Sequence, residues 1–158
     1  MNIGAWLFWG FASTVVLTTI MSGAQGLGLT RMSVPYMLGT MFTRDRDWAK
    51  LIGFGVHMLN GLVFSLVYVG AFQLLHHASW WLGALIGVAH AAFVLTAGMH
   101  TLPGLHPRMA SEQFGPTVAR LLEPPGFLAL NYGLQTPITV LVGHVVFGAL
   151  LGGFYHLR

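Results

Sequence analysis

Ten of the eleven charged residues in this 158-residue chain fall in two short segments, and nearly everything between them is apolar. Arg31, Arg44, Asp45, Arg46, Asp47 and Lys50 form the first cluster; Arg108, Glu112, Arg120 and Glu123 form the second. Arg158 alone lies elsewhere. Three uncharged runs remain, 1–30, 51–107 and 124–157, each with room for at least one bilayer crossing. A hydrocarbon core ~30 Å thick needs ~20 apolar residues in a helix rising ~1.5 Å per residue. The chain therefore reads as an all-α integral membrane protein. Composition agrees: 55% hydrophobic and 7% charged residues, with a mean hydropathy of +0.71, lie outside the soluble globular range.

The pattern predicts four transmembrane helices in one domain, as two similar helical hairpins, at about 5–29, 51–75, 79–102 and 136–156. Trp6 and Trp9 suit a membrane interface at the first entry. Gln73, His76, His77 and Ser79 divide the long middle run, and Trp80 and Trp81 open the third span. Pro103-Gly104 and Pro107 predict its end. Pro137, whose missing N–H costs nothing in a first helical turn, predicts the start of the fourth. The first apolar stretch has no basic region ahead of it and is too long for a signal-peptide core, so it reads as a retained span.

Orientation follows from Lys and Arg. The first long loop carries Arg31, Arg44, Arg46 and Lys50, the second Arg108 and Arg120, against only Arg158 on the opposite side. The positive-inside rule places both long loops in the cytoplasm and both termini outside. Neither loop is a plain linker. Residues 34–42 are too apolar for a solvated loop and too short to span, and are expected to lie in the headgroup region. Residues 123–133 read as an interfacial or re-entrant segment. The net charge of +3 and pI near 9.8 come from these loops, so the expected partner is the lipid bilayer and not nucleic acid. A homo-oligomer, or a subunit of a larger membrane complex, is the expected assembly.

The second and fourth spans echo each other. A shift of 87 residues lays His57 on His144, Gly61 on Gly148 and Tyr68 on Tyr155. These positions share one helix face, because eleven residues make about three turns. The echo suggests a duplication, with His57 and His144 at similar depth, roughly 9–12 Å in at ~1.5 Å per residue.

No Asp, Glu, Lys or Arg occurs in any span, so histidine supplies the titratable groups at depth. His57, His144 and His90, with Asn60, are the candidate cofactor-binding set. Paired imidazoles on facing helices suit b-type haem or a transition metal. The alternative is that neutral rings hydrogen-bond across helices, to Asn60 or to threonines, and hold the bundle together. Met99, His100, His106 and Met109 form a second candidate metal set, since imidazole with thioether suits copper(I). Thr14, Thr18, Ser22 and Gln25 make one polar stripe expected to face the bundle interior or another subunit, and Gly148 and Gly152 should permit close helix contact. The absence of cysteine excludes disulfides, thiolate metal sites and a cysteine nucleophile. No serine has a histidine and a carboxylate placed nearby, and no phosphate-binding glycine motif is present. A catalytic constellation is not expected.

The run from His106 to Glu112, then 122–127, then His144 with Gly148, resembles small four-span bacterial inner-membrane proteins of unknown function, loosely the YagU-like family. The resemblance implies a fold and a multi-pass place in a bacterial inner membrane, and carries no activity. Three functions stay open: a structural or accessory membrane component, a haem- or metal-binding redox subunit using His57 and His144, and a channel or carrier for a small neutral solute.

Overall fold

The computed structural model describes residues 1–111, 115–118, 120 and 122–157. Glu112 and Arg158, which entered the charge reading, lie outside the described residues. Among the described residues there is no strand, and four helical stretches are long and apolar enough to cross a membrane. They are α1 (Ile3–Gly26), α3 (Arg46–Leu74), the continuous stretch Trp80–Leu105, and α6 (Thr136–Phe154). A short α2 (Val34–Gly39) lies in the first long loop. The third crossing comprises α4 (Trp80–Phe93), a π turn at Val94–Gly98, and α5 (Met99–Leu105). The chain is an all-α, multi-pass membrane protein.

Capping sets the helix ends, and shifts several from the expected places. Asn2 accepts the N–H of Ala5, so α1 starts two residues early. Gly28, at φ 74°, takes the left-handed turn that follows the helix end at Gly26, where the apolar run had suggested 29. Asp45 accepts from the N–H groups of Asp47 and Trp48 at 3.0 and 2.8 Å, starting α3 a turn before the uncharged run begins. Pro103 does not end the third span. It lies in the last turn of α5, where it removes one hydrogen bond and no further turn depends on it. Pro137 does fall in the first turn of α6. Before it, Phe127–Tyr132 forms a 3₁₀ turn in which Leu128 and Ala129 are left-handed, so no helix runs on from Gly126.

Around the bundle the order is α3, α1, α6, α4. The closest pairing is α4 with α6, and α6 also packs on α1, which packs on α3. The α4–α6 seam is made by glycine. A Cβ added to Gly83 would sit on the carbonyl of Gly148, one on Gly87 on that of His144, and one on Gly152 on that of Ser79. Gly148 and Gly152 thus serve contact within one chain. By contrast α3 and α4, joined by a turn of a few residues, scarcely approach through their backbones.

The polar stripe of α1 is half as expected. Thr14 and Thr18 are buried, but their hydroxyls donate to the carbonyls of Gly10 and Thr14 in their own helix. Ser22 and Gln25 are exposed. In the last turns Met21 and Ala24 take the buried face, and Ser22 and Gln25 turn outward beside them.

The two long loops interlock at one end of the bundle. Thr30 and Thr136 share a hydroxyl hydrogen bond at 2.7 Å, and the Arg31 N–H donates to the Tyr132 carbonyl at 2.7 Å. Segment 34–42 is not a loose surface strip. Its helix α2 lies on the start of α3 so closely that a Cβ at Gly53 would meet the Pro35 carbonyl, and one at Gly39 that of Ala49.

Candidate functional site

All four spans and α2 wall a cavity of about 230 Å³. From α3 come His57, Asn60 and Phe64; from α4, His90 and Phe93; from α6, His144 and Phe147. Met99 and Gly98 contribute where the π turn displaces the third span, and Met37 and Leu38 of α2 close the loop end. The structure thus brings together His57, His90, His144 and Asn60, the four candidates for cofactor binding. No Asp, Glu, Lys or Arg lines the cavity among the described residues. Of its lining residues, only Asn60 and Phe93 are exposed, so its mouth lies between α3 and α4.

The three imidazoles differ in what holds them. Nδ1 of His144 lies 2.8 Å from the Val140 carbonyl, which can only accept, so Nδ1 carries the proton. In the neutral ring, Nε2 then keeps its lone pair. Nδ1 of His90 lies 3.0 Å from the hydroxyl of Tyr68, which is 1% exposed and has no other partner among the described residues. A buried hydroxyl proton left without an acceptor is costly, so Tyr68 donates to His90, whose proton then sits on Nε2. The His90 ring also stacks on Phe64 with centroids 4.4 Å apart and meets His144 edge-on at 4.6 Å. His57 differs from both. Its Nε2 is buried with no partner, and neither of its ring nitrogens makes a hydrogen bond among the described residues.

The packing expectation is therefore met in part and with other partners. His144 bonds its own helix, His90 bonds a tyrosine, and neither uses Asn60 or a threonine. The closest imidazole pair is His90 with His144, where the internal echo had pointed to His57 with His144. The echo's tyrosines also part company. Tyr68 serves His90, while the Tyr155 hydroxyl meets the N–H of Asn2 at 3.0 Å and the Gln73 amide at 3.2 Å. The Tyr68–His90 link had no signal in the sequence beyond two polar groups in apolar helices, 22 residues apart.

The second candidate set is spread over three places. Met99 is buried at the histidine cavity and also borders a second cavity of about 500 Å³ between α4–α5 and the loop near Pro124–Leu128. His100 lines only that second cavity and is exposed. His106 and Met109 are buried elsewhere. Nδ1 of His106 accepts the Arg108 N–H at 3.1 Å, and its Nε2–H donates to the Met37 carbonyl at 2.9 Å. Arg108 donates in turn to the Thr40 carbonyl. Together they fasten the second long loop to α2. Burial holds His106 below the ordinary imidazole range; Arg108 acts in the same direction, against the bond to Met37.

Among the described residues, no three His, Asp or Glu side chains are placed to hold a metal ion. Compared with known proteins, the chain matches no protein-family model, no curated protein and no solved structure.

Proposed function

We propose that this chain is a membrane-embedded binding protein whose histidine cavity takes a small, uncharged and mostly apolar ligand. The observation that carries this reading is the buried, partnerless Nε2 of His57 beside a cavity that two other imidazoles share. An unmet buried polar group costs ~1–3 kcal/mol, and packing alone gives no return for that cost. A ligand that hydrogen-bonds His57 removes it. The absence of charge in the lining favours a neutral ligand.

Dimensions favour this over the haem reading. A cavity of 230 Å³ lies below the ~300 Å³ at which sites for drug-sized ligands begin, and a haem is at least of that size. The interlocked loops and the glycine seam also suit a rigid accessory component of a larger assembly or a homo-oligomer, with the cavity as its working part. The Lys and Arg of the long loops support a cytoplasmic side for those loops on the positive-inside rule, and the resemblance to small bacterial inner-membrane proteins supports that membrane.

The test is thermal unfolding of the detergent-purified protein with increasing phenol, a neutral one-ring probe with one hydroxyl. The expected result is a saturable rise in midpoint that His57→Leu abolishes. A midpoint that never rises, or one that rises equally in His57→Leu, would count against a ligand held by His57.

A further inference from the structure

Resting on the binding reading, we infer that the ligand is a bilayer lipid whose head is a hydroxyl-bearing ring and whose tail leaves between α3 and α4. Three observations converge on it. The first is the hydrogen-bonding pattern. His144 offers a fixed lone pair on Nε2, because its Nδ1–H is committed to Val140, and the buried Nε2 of His57 has no partner. A ligand hydroxyl can donate its proton to the His144 lone pair and accept an N–H from His57 once that ring turns its nitrogen toward the cavity. A ligand with acceptors only would leave the His144 lone pair unmet, and an apolar ligand would leave both.

The second observation is shape. Phe64, Phe93 and Phe147 surround the space, and 230 Å³ admits one ring and little more. Gly98 leaves one wall bare: a Cβ added there would meet only the Phe93 carbonyl, at 3.8 Å. A flat head fits against such a wall.

The third is the direction of the mouth. The lining residues that reach the surface are Asn60 on α3 and Phe93 on α4, both on membrane-spanning helices and both facing out sideways. At the loop end, α2 is clamped onto α3 and closes the cavity from that side. The gap persists because α3 and α4 are bridged through side chains, by Phe64 and Tyr68 against His90, and hardly through backbone. An entrance on the flank of a spanning helix pair admits molecules dissolved in the bilayer. A tail left in the lipid spares the cavity from holding it.

The test uses protein labelled with ¹⁵N in histidine, in micelles doped with 4-dodecylphenol. Dodecylbenzene (same tail, no hydroxyl) and 4-methylphenol (same head, no long tail) are the comparison probes. Dodecylphenol should move the His144 and His57 ring-nitrogen signals saturably, at mole fractions where dodecylbenzene leaves them in place. Gly98→Leu, which fills the bare wall, and Asn60→Leu at the exposed mouth should each weaken the response about tenfold or more. Two substitutions at separate places guard against one that fails to fold. A response to 4-methylphenol with none to dodecylphenol would overturn the lipid inference and leave the binding reading standing. An equal response to dodecylbenzene would overturn the hydroxyl assignment. Silence from every probe would remove both.

Discussion

The α4–α6 seam and the α3–α4 flank are built from opposite residue types: glycine closes one down to the backbone, and aromatic bulk leaves a cavity beside the other. At the seam, Gly83, Gly87, Gly148 and Gly152 let carbonyls lie where side chains would otherwise stand. On the flank, Phe64, Tyr68 and His90 hold the helices apart. The opening is thus not general looseness. In lipid, where the hydrophobic effect gives no drive between helices, contact comes from close packing and hydrogen bonds. The chain concentrates close packing on one side and aromatic bulk on the other, and the cavity proposed as a binding site lies on the aromatic side.

The largest expected effect breaks the seam. Gly148→Leu places atoms on the backbone of Gly83 and against the Tyr68 ring, so it should destabilise by more than the ~1–3 kcal/mol typical of overpacking. Denaturant titration in mixed micelles would show it; a wild-type midpoint would mean that the helices do not meet there. Next comes the cap that closes the loop end of the cavity. His106→Ala removes bonds to Met37 and Arg108 and leaves a buried void, at an expected ~2–4 kcal/mol.

The same residue gives a pH test. In the unfolded chain an imidazole titrates near pH ~6.5, whereas burial lowers the folded value. The unfolded state then binds more protons as pH falls, so the contribution of His106 is whole above ~6.5 and is lost progressively below it. His106→Gln should flatten the fall in stability between about pH 7 and 5 relative to wild type. Parallel curves for the two proteins would show that His106 is not the group responsible.

A smaller effect of opposite sign sharpens the contrast. His57→Leu removes the partnerless nitrogen from the flank and should stabilise the empty protein by up to ~1–3 kcal/mol while abolishing phenol binding. Destabilisation instead would mean that His57 is a packing residue. The smallest is Glu123→Gln at the exposed Arg31 pair, 3.3 Å apart, where a loss under ~1 kcal/mol is expected. A larger loss would give the loop junction more weight than either helix contact.

The crossings were legible because charge is so sparse that hydropathy alone marks them. Their ends were less so. Asp45 read as one charge among several, whereas its position makes it the cap that pulls α3 back to Arg46. Pro103 read as a stop because proline breaks a helix interior, whereas its place in the last turn of α5 costs only one hydrogen bond. The site residues were visible as histidines without charged company, but not their relations. Which ring meets which depends on the rotation of each helix about its axis, and glycine faces set that rotation only once the partner helix is known. Thus Tyr68 was legible as half of an echo with Tyr155, and not as the donor to His90. Met99 and His106 stand seven residues apart, yet the helix end at Leu105 sends them to different walls.

The central place of α6 bears on how the chain is made. It is synthesised after the other crossings, yet both α1 and α4 pack on it. Until Thr136–Phe154 enters the bilayer, the glycine face of α4 and the Leu17 side of α1 have only lipid beside them. The three earlier crossings then lack the helix on which two of them pack, and the bundle waits on the insertion of α6. A ribosome that stalls before Thr136 leaves a product with its spans in place and its bundle unformed, the kind of species that membrane quality control is built to remove.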